Sequence, residues 1–309
     1  MKKEFTLVDP YEHELHVYLW ETNATKPKGV VQLIHGAGEY CERYDHFAKY
    51  LNDEGFHVIG NDHLGHGKTS TDLSKVYFDS SIGFHKVYEG VKTVRDYIEE
   101  HYPKHLVIMF AHSMGSLIGR YAMLYDHNRY NMAIFSGTGT FSKWSILFGK
   151  IVANIIIRLK GDQYVSPWFN DVVMGSHIRD LQRKGLINRR IEWISQDPQI
   201  QRAFEEDKYC GIPFTIGAQR DMLNFIPEIQ DKKKIKDSAS STAIYFINGD
   251  TDPLGHYGED IKKLYNHYHD AGYSNVKYSV FNNTRHEIIN SFEKDHHYKV
   301  ITDWIKRNL

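Results

Sequence analysis

The chain has 309 residues, enough for one substantial core, and α/β folds of this size often carry an inserted subdomain rather than splitting in two. Lysine and arginine number 38 against 39 aspartates and glutamates, so there is no basic surplus to attract nucleic acid or an anionic membrane, and nucleic acid is not an expected partner. The two cysteines, Cys41 and Cys210, are too few for a disulfide framework and lack metal-ligand spacing, which suits a cytoplasmic protein.

Glu4 and Asp9 follow Met1-Lys2-Lys3 before an apolar run can build up, so no signal peptide is expected. Leu7 and Val8, then Leu15, Val17 and Leu19, alternate with polar residues around Asp9-Pro10 and predict an antiparallel hairpin at a sheet edge. A different texture follows, in short apolar runs over 30–34, 56–59, 106–110 and 132–135, as expected of strands buried on both faces. Segments of helical periodicity separate them, over 44–52, 88–100 and 115–125. Strand and helix alternate, which predicts an α/β fold with a mostly parallel central sheet flanked by helices.

After Gly137-Thr138-Gly139 the alternation stops for about a hundred residues that are helix-like, aromatic and punctuated by Gly161, Pro167, Gly175, Gly185 and Pro198. Residues 138–239 are expected to form an inserted helical cap, with 1–137 and 240–309 making a discontinuous core. Lys232 to Lys234 reads as a solvated helix face. The stretch from Trp144 to Leu159 is broken by Ser145, Lys150, Asn154 and Arg158, short of the roughly 20 apolar residues a membrane span requires, so the chain is expected to be soluble. Strands resume over 243–247 and 276–281, with a helix from about Tyr257 to Ala271 and a closing helix from Glu287 to Lys306.

Ala111-His112-Ser113-Met114-Gly115 lies between a buried strand and a helix, the context of a nucleophile elbow. The sharp turn strains the serine and demands small neighbours two residues away, a need met by Gly115 and nearly by Ala111. Serine requires a base, and the base requires a group that holds it. In a chain of this order the partners come as Ser, Asp, His. The strand over 243–247 runs into Asp250 and Asp252, and the strand over 276–281 runs into His286, both just past C-terminal strand edges. Asp250 reads as a turn cap, and Asp252, fixed by Pro253, is the favoured orienting acid. His267, His269, His296 and His297 read as solvated residues on surface helices, not as a metal site. Acyl transfer also needs donors for an oxyanion, and the backbone N–H groups of Met114 and of Ala37, in His35-Gly36-Ala37-Gly38-Glu39, are placed to supply them.

Taken together, His35 to Glu39, Asp62 to Ser70, His112 to Gly115, Asp252-Pro253 and Arg285-His286-Glu287 resemble the monoacylglycerol lipase and lysophospholipase branch of the α/β-hydrolases, the serine aminopeptidase S33 type. The resemblance spans about residues 4–136 and 240–309. It implies Ser113, Asp252 and His286 as triad, Ala37 and Met114 as oxyanion hole, and a structural Asp62 to Gly67 loop in which Asp62 and His66 brace the site floor. Ala111 departs from the family's first elbow glycine, and the cap matches family members only loosely.

Within the cap, Trp144, Ile146 to Phe148, Ile151, Val152 and Ile155 to Ile157 are too apolar for one amphipathic stripe. Such a segment either packs on the core or stays exposed as an acyl-chain entrance or a contact with lipid aggregates. Asp207 to Thr215 resembles a cap segment of bacterial lysophospholipase-like members, whose aromatics would line an acyl pocket, with Cys210 reading as a buried inert thiol. The expected activity is hydrolysis of a small-molecule acyl ester through an acyl-enzyme, with no cofactor, on monoacylglycerols, lysophospholipids or related esters. Alternatives are a prolyl-aminopeptidase-like enzyme, with Glu39, Glu205, Glu206 and Asp207 as candidate amine-binding groups, a silent ligand-binding member, or an acyltransferase.

Overall fold

The computed structural model describes residues 1–79 and 82–309. Eight strands form one sheet: β1 (Lys2–Val8), β2 (Glu14–Trp20), β3 (Gly29–Ile34), β4 (Phe56–Asn61), β5 (Val107–His112), β6 (Met132–Ser136), β7 (Ala243–Gly249) and β8 (Val276–Phe281). Their order is β1-β2-β4-β3-β5-β6-β7-β8. β1 pairs antiparallel with β2, and β2 antiparallel with β4; every later pairing is parallel. The expected hairpin thus forms one edge, and β8, half-buried, forms the other.

β3, β4, β5 and β6 are buried along their whole length because helices cover both faces. Side chains alternate between two cores, as the twofold strand period requires. Val30, Met109, Phe135 and Phe246 meet α2 (Gly83–His101), α3 (Met114–Tyr125) and α10 (Glu259–Ala271). Val31, Phe110, Ile134 and Tyr245 meet α1 (Asp45–Asp53) and α11 (Lys294–Arg307) on the opposite face.

Between β6 and β7 the chain forms α4 (Lys143–Lys160), α5 (Pro167–Asn170), α6 (Ser176–Arg183), α7 (Pro198–Glu206), α8 (Ile216–Ile229) and α9 (Lys232–Asp237). Pro167 and Pro198 open their helices behind the capping side chains of Ser166 and Asp197, where a missing N–H costs nothing. Gly175 does not break the chain as its composition predicts. It closes a wide π-turn (Asp171–Gly175) that joins α5 to α6 without interruption. Phe225, Ile226 and Ile229 of α8 belong to the main core, with Phe225 4.0 Å from Phe84 and 4.7 Å from Tyr121 between ring centroids. Packing therefore does not separate at residue 239, where the chain returns to the sheet. Fully buried Arg120 of α3 binds the carbonyls of Gly139 (2.9 Å) and Ile229 (3.1 Å), tying both ends of the insertion to the sheet.

Three C-terminal expectations need correction. The closing helix is not continuous from Glu287: a single tight turn (Ile288–Asn290) is followed by extended Ser291, and α11 starts at Lys294. His297 is buried rather than solvated, packed on Phe281 and 2.9 Å from Ser291 Oγ, because the break turns that face of α11 inward. Likewise α10 begins at Glu259, since Tyr257 sits at φ 59°, outside the helical region.

Candidate active site

β5 delivers Ser113 to the start of α3, where it adopts φ 53° and ψ −120°. For a non-glycine residue this backbone is strained by about 1–3 kcal/mol, and the turn survives because its surroundings over-determine it. Ser113 N–H donates to Ser136 O of β6 at 2.9 Å, while Ser116 Oγ and N–H both reach back to Ser113 O. A side chain at Gly115 would stand 2.2 Å from Ile34 O, so α3 can approach β3 only with glycine there. Ala111 is admitted in the elbow because it faces Gly119, where an added carbon would be just 3.0 Å away.

β7 and β8 end in the loops carrying the other two candidates. Asp252, fully buried, sets Oδ2 2.9 Å from His286 Nδ1 and accepts from Leu254 N–H at 3.0 Å through Oδ1. Asp250 instead accepts from Thr284 N–H at 3.1 Å, tying the two loops together. Burial depresses the basicity of His286, but the Asp252 carboxylate outweighs it and holds the imidazole pKa above its ordinary value. His286 Nε2 is buried with no protein partner among the described residues, and it lines the same cavity as Ser113. A side chain at Gly137 would lie 2.8 Å from His286 Cε1, so this position, at φ 60°, clears the space for the ring.

Ala37 and Met114 border that cavity as well. Met114 opens α3, where its N–H has no intrahelical acceptor. The loop bearing Ala37 is braced from beneath: Gly38 N–H donates to His66 Nε2 at 3.2 Å, and His63 N–H to His35 Nε2 at 2.9 Å. Asp62 accepts from Cys41 N–H, Lys68 N–H and Tyr18 O–H. Burial keeps all three imidazoles neutral, with His63 pushed down to about 3 and His66 to about 4, and lifts the Asp62 carboxyl to about 7.

Three charged groups beside the site, two of them buried, are not apparent as a unit from the sequence. Arg43 forks onto Glu287 with two 2.8 Å hydrogen bonds and also pairs with Glu39. Glu39 Oε1 additionally accepts from Gly36 N–H (2.6 Å) and Tyr44 O–H (2.8 Å). Burial raises the Glu39 pKa; at Glu287 it pushes the same way, yet Arg43 outweighs it and the net shift is downward. The i, i+4 spacing of Glu39 and Arg43 was the available signal, whereas Glu287 lies 244 residues from Arg43.

The cavity holds about 400 Å³ and is mostly apolar, walled by α4, the α5–α6 segment and α8. Ser113, His286, His112, Glu39 and Glu287 line it at the sheet edge, and Ser145, Ser176, His177 and Gln219 add polar side chains from the insertion. No lysine or arginine lines it among the described residues. Of the candidate amine-binding groups only Glu39 reaches the cavity; Glu205 pairs with Arg189 and Asp207 accepts from Tyr40 O–H at 2.7 Å. Tyr209, Cys210 and Phe214 do not line it either, although Phe204 does. Tyr209 packs on Tyr40 and Phe214 on Phe78 and His66, so this strap braces the Gly38 loop from outside. The described residues contain no group of histidines, cysteines and carboxylates able to hold a metal ion.

A mostly parallel eight-stranded sheet with Ser113, Asp252 and His286 past the C-terminal ends of β5, β7 and β8, covered by a helical insertion, is an α/β-hydrolase. The family model described as serine aminopeptidase, S33, matches residues 25–295, and the chain belongs to that family. Among curated relatives, the monoglyceride lipase of Rattus norvegicus is 34% identical over 99 residues, 32% of this chain and 31% of that protein. The monoglyceride lipase homolog of monkeypox virus is 34% identical over 110 residues, 36% of this chain and 38% of that one. The chain thus spans about a third of the length of the curated relatives it matches. A thermostable carboxyl esterase from Bacillus coagulans, solved with glycerol, superposes with TM-score 0.87 at 27% identity over 99% of this chain and 98% of that one. A monoglyceride lipase from Saccharomyces cerevisiae shares the fold at TM-score 0.74 and 15% identity, over 100% of this chain and 94% of that one.

Proposed function

We propose that the protein is a serine carboxylic-ester hydrolase acting through an acyl-enzyme, with Ser113 as nucleophile, His286 as general base and Asp252 as the acid that orients it. Ser113 Oγ attacks the ester carbonyl carbon as His286 Nε2 takes its proton, and the oxyanion accepts from the N–H groups of Ala37 and Met114. Collapse expels the alcohol, which takes the proton back from His286. A water activated by the same imidazole then releases the acid. No cofactor enters these steps. The observation that carries the reading is the strained Ser113 in one cavity with a buried imidazole whose Nδ1 is held by Asp252 and whose Nε2 is open.

The substrate we assign is a neutral monoacylglycerol or related acyl ester. Apolar walls suit an acyl chain, and neutral His112 together with His177 suits a hydroxylated alcohol. A lysophospholipid phosphate would meet Glu39 and Glu287 with no lining cation. An aminopeptidase-like reading lacks a free carboxylate for the substrate amine, since both glutamates are held by Arg43. Residues 138–239 act as the cap, and exposed Trp144, Leu147, Phe148, Ile151 and Ile155 of α4 make a stripe fit for transient contact with lipid aggregates. No helix among the described residues is long and apolar enough to cross a membrane.

The test is turnover of a monoacylglycerol, lysophosphatidylcholine, p-nitrophenyl esters of increasing chain length and an aminoacyl-prolyl amide, beside Ser113→Ala. Preference for the monoacylglycerol and longer esters, abolished in the variant, is expected. Preference for the amide or the lysophospholipid would overturn the substrate assignment.

A further inference from the structure

We propose that Trp193 is a positioning residue for His286, and that residues 176–194 of the insertion form a clamp across the two loops that carry Asp252 and His286. This rests on the reading of Ser113, Asp252 and His286 as a triad. The Trp193 ring stacks on the His286 imidazole, with centroids 4.7 Å apart and planes 26° apart. The ring of His112 meets the imidazole at 4.7 Å and 47°, and Gly137 leaves room beside it. Asp252 holds one nitrogen of the ring through a single hydrogen bond, which restrains the ring plane only loosely. Stacking fixes the plane, so that Nε2 can reach both Ser113 Oγ and a leaving oxygen. An indole face also favours the imidazolium that forms when the proton is taken.

The clamp is bonded to both loops. Arg285, next to the base, donates to Glu192 O (2.6 Å) and Leu186 O (2.5 Å), and Glu287 N–H donates to Ile194 O at 2.8 Å. On the other side Trp193 and Tyr257 pack on the small core of Ile178, Leu181 and Ile187. Tyr257 O–H donates to Asp180, Lys184 sits 3.5 Å over the Tyr257 ring, and Tyr257 N–H returns to Asp252 O at 2.9 Å. His256 and Tyr257 both hold positive φ, 45° and 59°, a conformation that needs such external support. The acid loop and the base loop are therefore bridged by one inserted segment, through packing that ends on the imidazole itself.

The titratable and charged groups around the imidazole are Asp252, Glu287, Glu39, Arg43, His112 and His177, and substitution of Trp193 alters none of them. The experiment measures fluorophosphonate labelling rate and the pH profile of kcat/KM for wild type, Trp193→Ala and Trp193→Phe. Labelling of Trp193→Ala is expected to slow about 10- to 100-fold, the scale of a misplaced reacting group, with a displaced acidic limb, while Trp193→Phe recovers most of the rate. In the same proteins, the emission difference between wild type and Trp193→Phe isolates Trp193. It is expected to be quenched with the midpoint of the acidic limb, as His286 gains its proton. A labelled wild type with Trp193→Ala reacting at the same rate, or an emission difference flat across that limb, would overturn the clamp. Absence of labelling in the wild type would instead remove the triad reading beneath it. Should Trp193→Ala not fold, the emission titration decides alone.

Discussion

At the C-terminal edge of the sheet, Ser113, Asp252 and His286 sit among buried polar groups, whereas the outer side of α4 leaves Trp144 78% and Leu159 73% exposed. The sheet edge is built for position, through close approaches at Gly115 and Gly137 and the Asp252–His286 hydrogen bond. The outer insertion is built from apolar surface, where the identity of one side chain matters less than the area of the stripe. Between them, residues 176–194 belong by sequence to the insertion and by bonding to the edge. The difference teaches where chemistry and selectivity reside: rate constants should respond to the edge and lipid preference to the stripe.

The largest effect should come from the edge. Asp252→Asn is expected to lower kcat by about 10⁴-fold with the fold intact, as loss of the orienting acid does elsewhere, while Asp250→Asn changes it only a few-fold. Steady-state kinetics on one soluble ester separates the two. Equal losses would mean that the Asp252–His286 contact is not the one that matters. Next, Arg43→Ala leaves Glu39 and Glu287 buried without their cation and should cost about 3–5 kcal/mol in denaturant unfolding. A loss below 1 kcal/mol would show that the cluster is not a structural anchor.

The histidines beneath the Ala37 loop sharpen the comparison through pH. His66 is held neutral in the fold, down to about 4, but takes a proton near its ordinary value once unfolded. Below that ordinary value the unfolded chain binds the proton that the native one refuses, so the His66 contribution to stability falls as pH drops from about 6.5 toward 4, while Asp62, lifted to about 7, contributes with the opposite sign. The His66 contribution is roughly 3 kcal/mol, with His63 acting in the same direction as His66. His66→Asn should flatten that dependence in unfolding curves taken between these limits, and an unchanged slope would contradict the assignment. If His286 is the base as proposed, its activity limb is expected higher, because Asp252 raises that imidazole and a base must be neutral to act. The smallest effect on the fold belongs to α4. Ile151→Asp with Ile155→Asp should leave stability within about 0.5 kcal/mol and soluble-ester turnover unchanged, yet weaken sedimentation with neutral lipid vesicles at least several-fold. Unaltered vesicle binding would deny the stripe its role.

The edge was largely legible in the sequence because its signals are local. Continuous apolar runs gave β3 to β6, glycine and alanine flanked Ser113, and the carboxylate and imidazole each followed a strand. The choice of Asp252 over Asp250 rested on a proline, and the geometry of the two loops is consistent with it. What escaped is set by distance along the chain. The Arg43–Glu287 pair, the Trp193 stack and the Arg285 bonds each join segments about a hundred residues or more apart, with no periodicity to announce them. The break after Asn290 escaped for another reason: no glycine or proline marks it, but Ser291 in extended conformation turns the chain before α11. The resemblance of 207–215 to a cap segment points Tyr209 and Phe214 to the acyl pocket, and they serve instead to brace the Gly38 loop.

The most direct test of the central claim is a rapid-mixing experiment with a p-nitrophenyl ester, followed by mass analysis of acid-quenched protein. The account predicts a burst of p-nitrophenol stoichiometric with the enzyme and an acyl adduct on the peptide containing Ser113, both absent in Ser113→Ala. A folded wild type with no burst and no adduct, or an adduct on another residue, would contradict it.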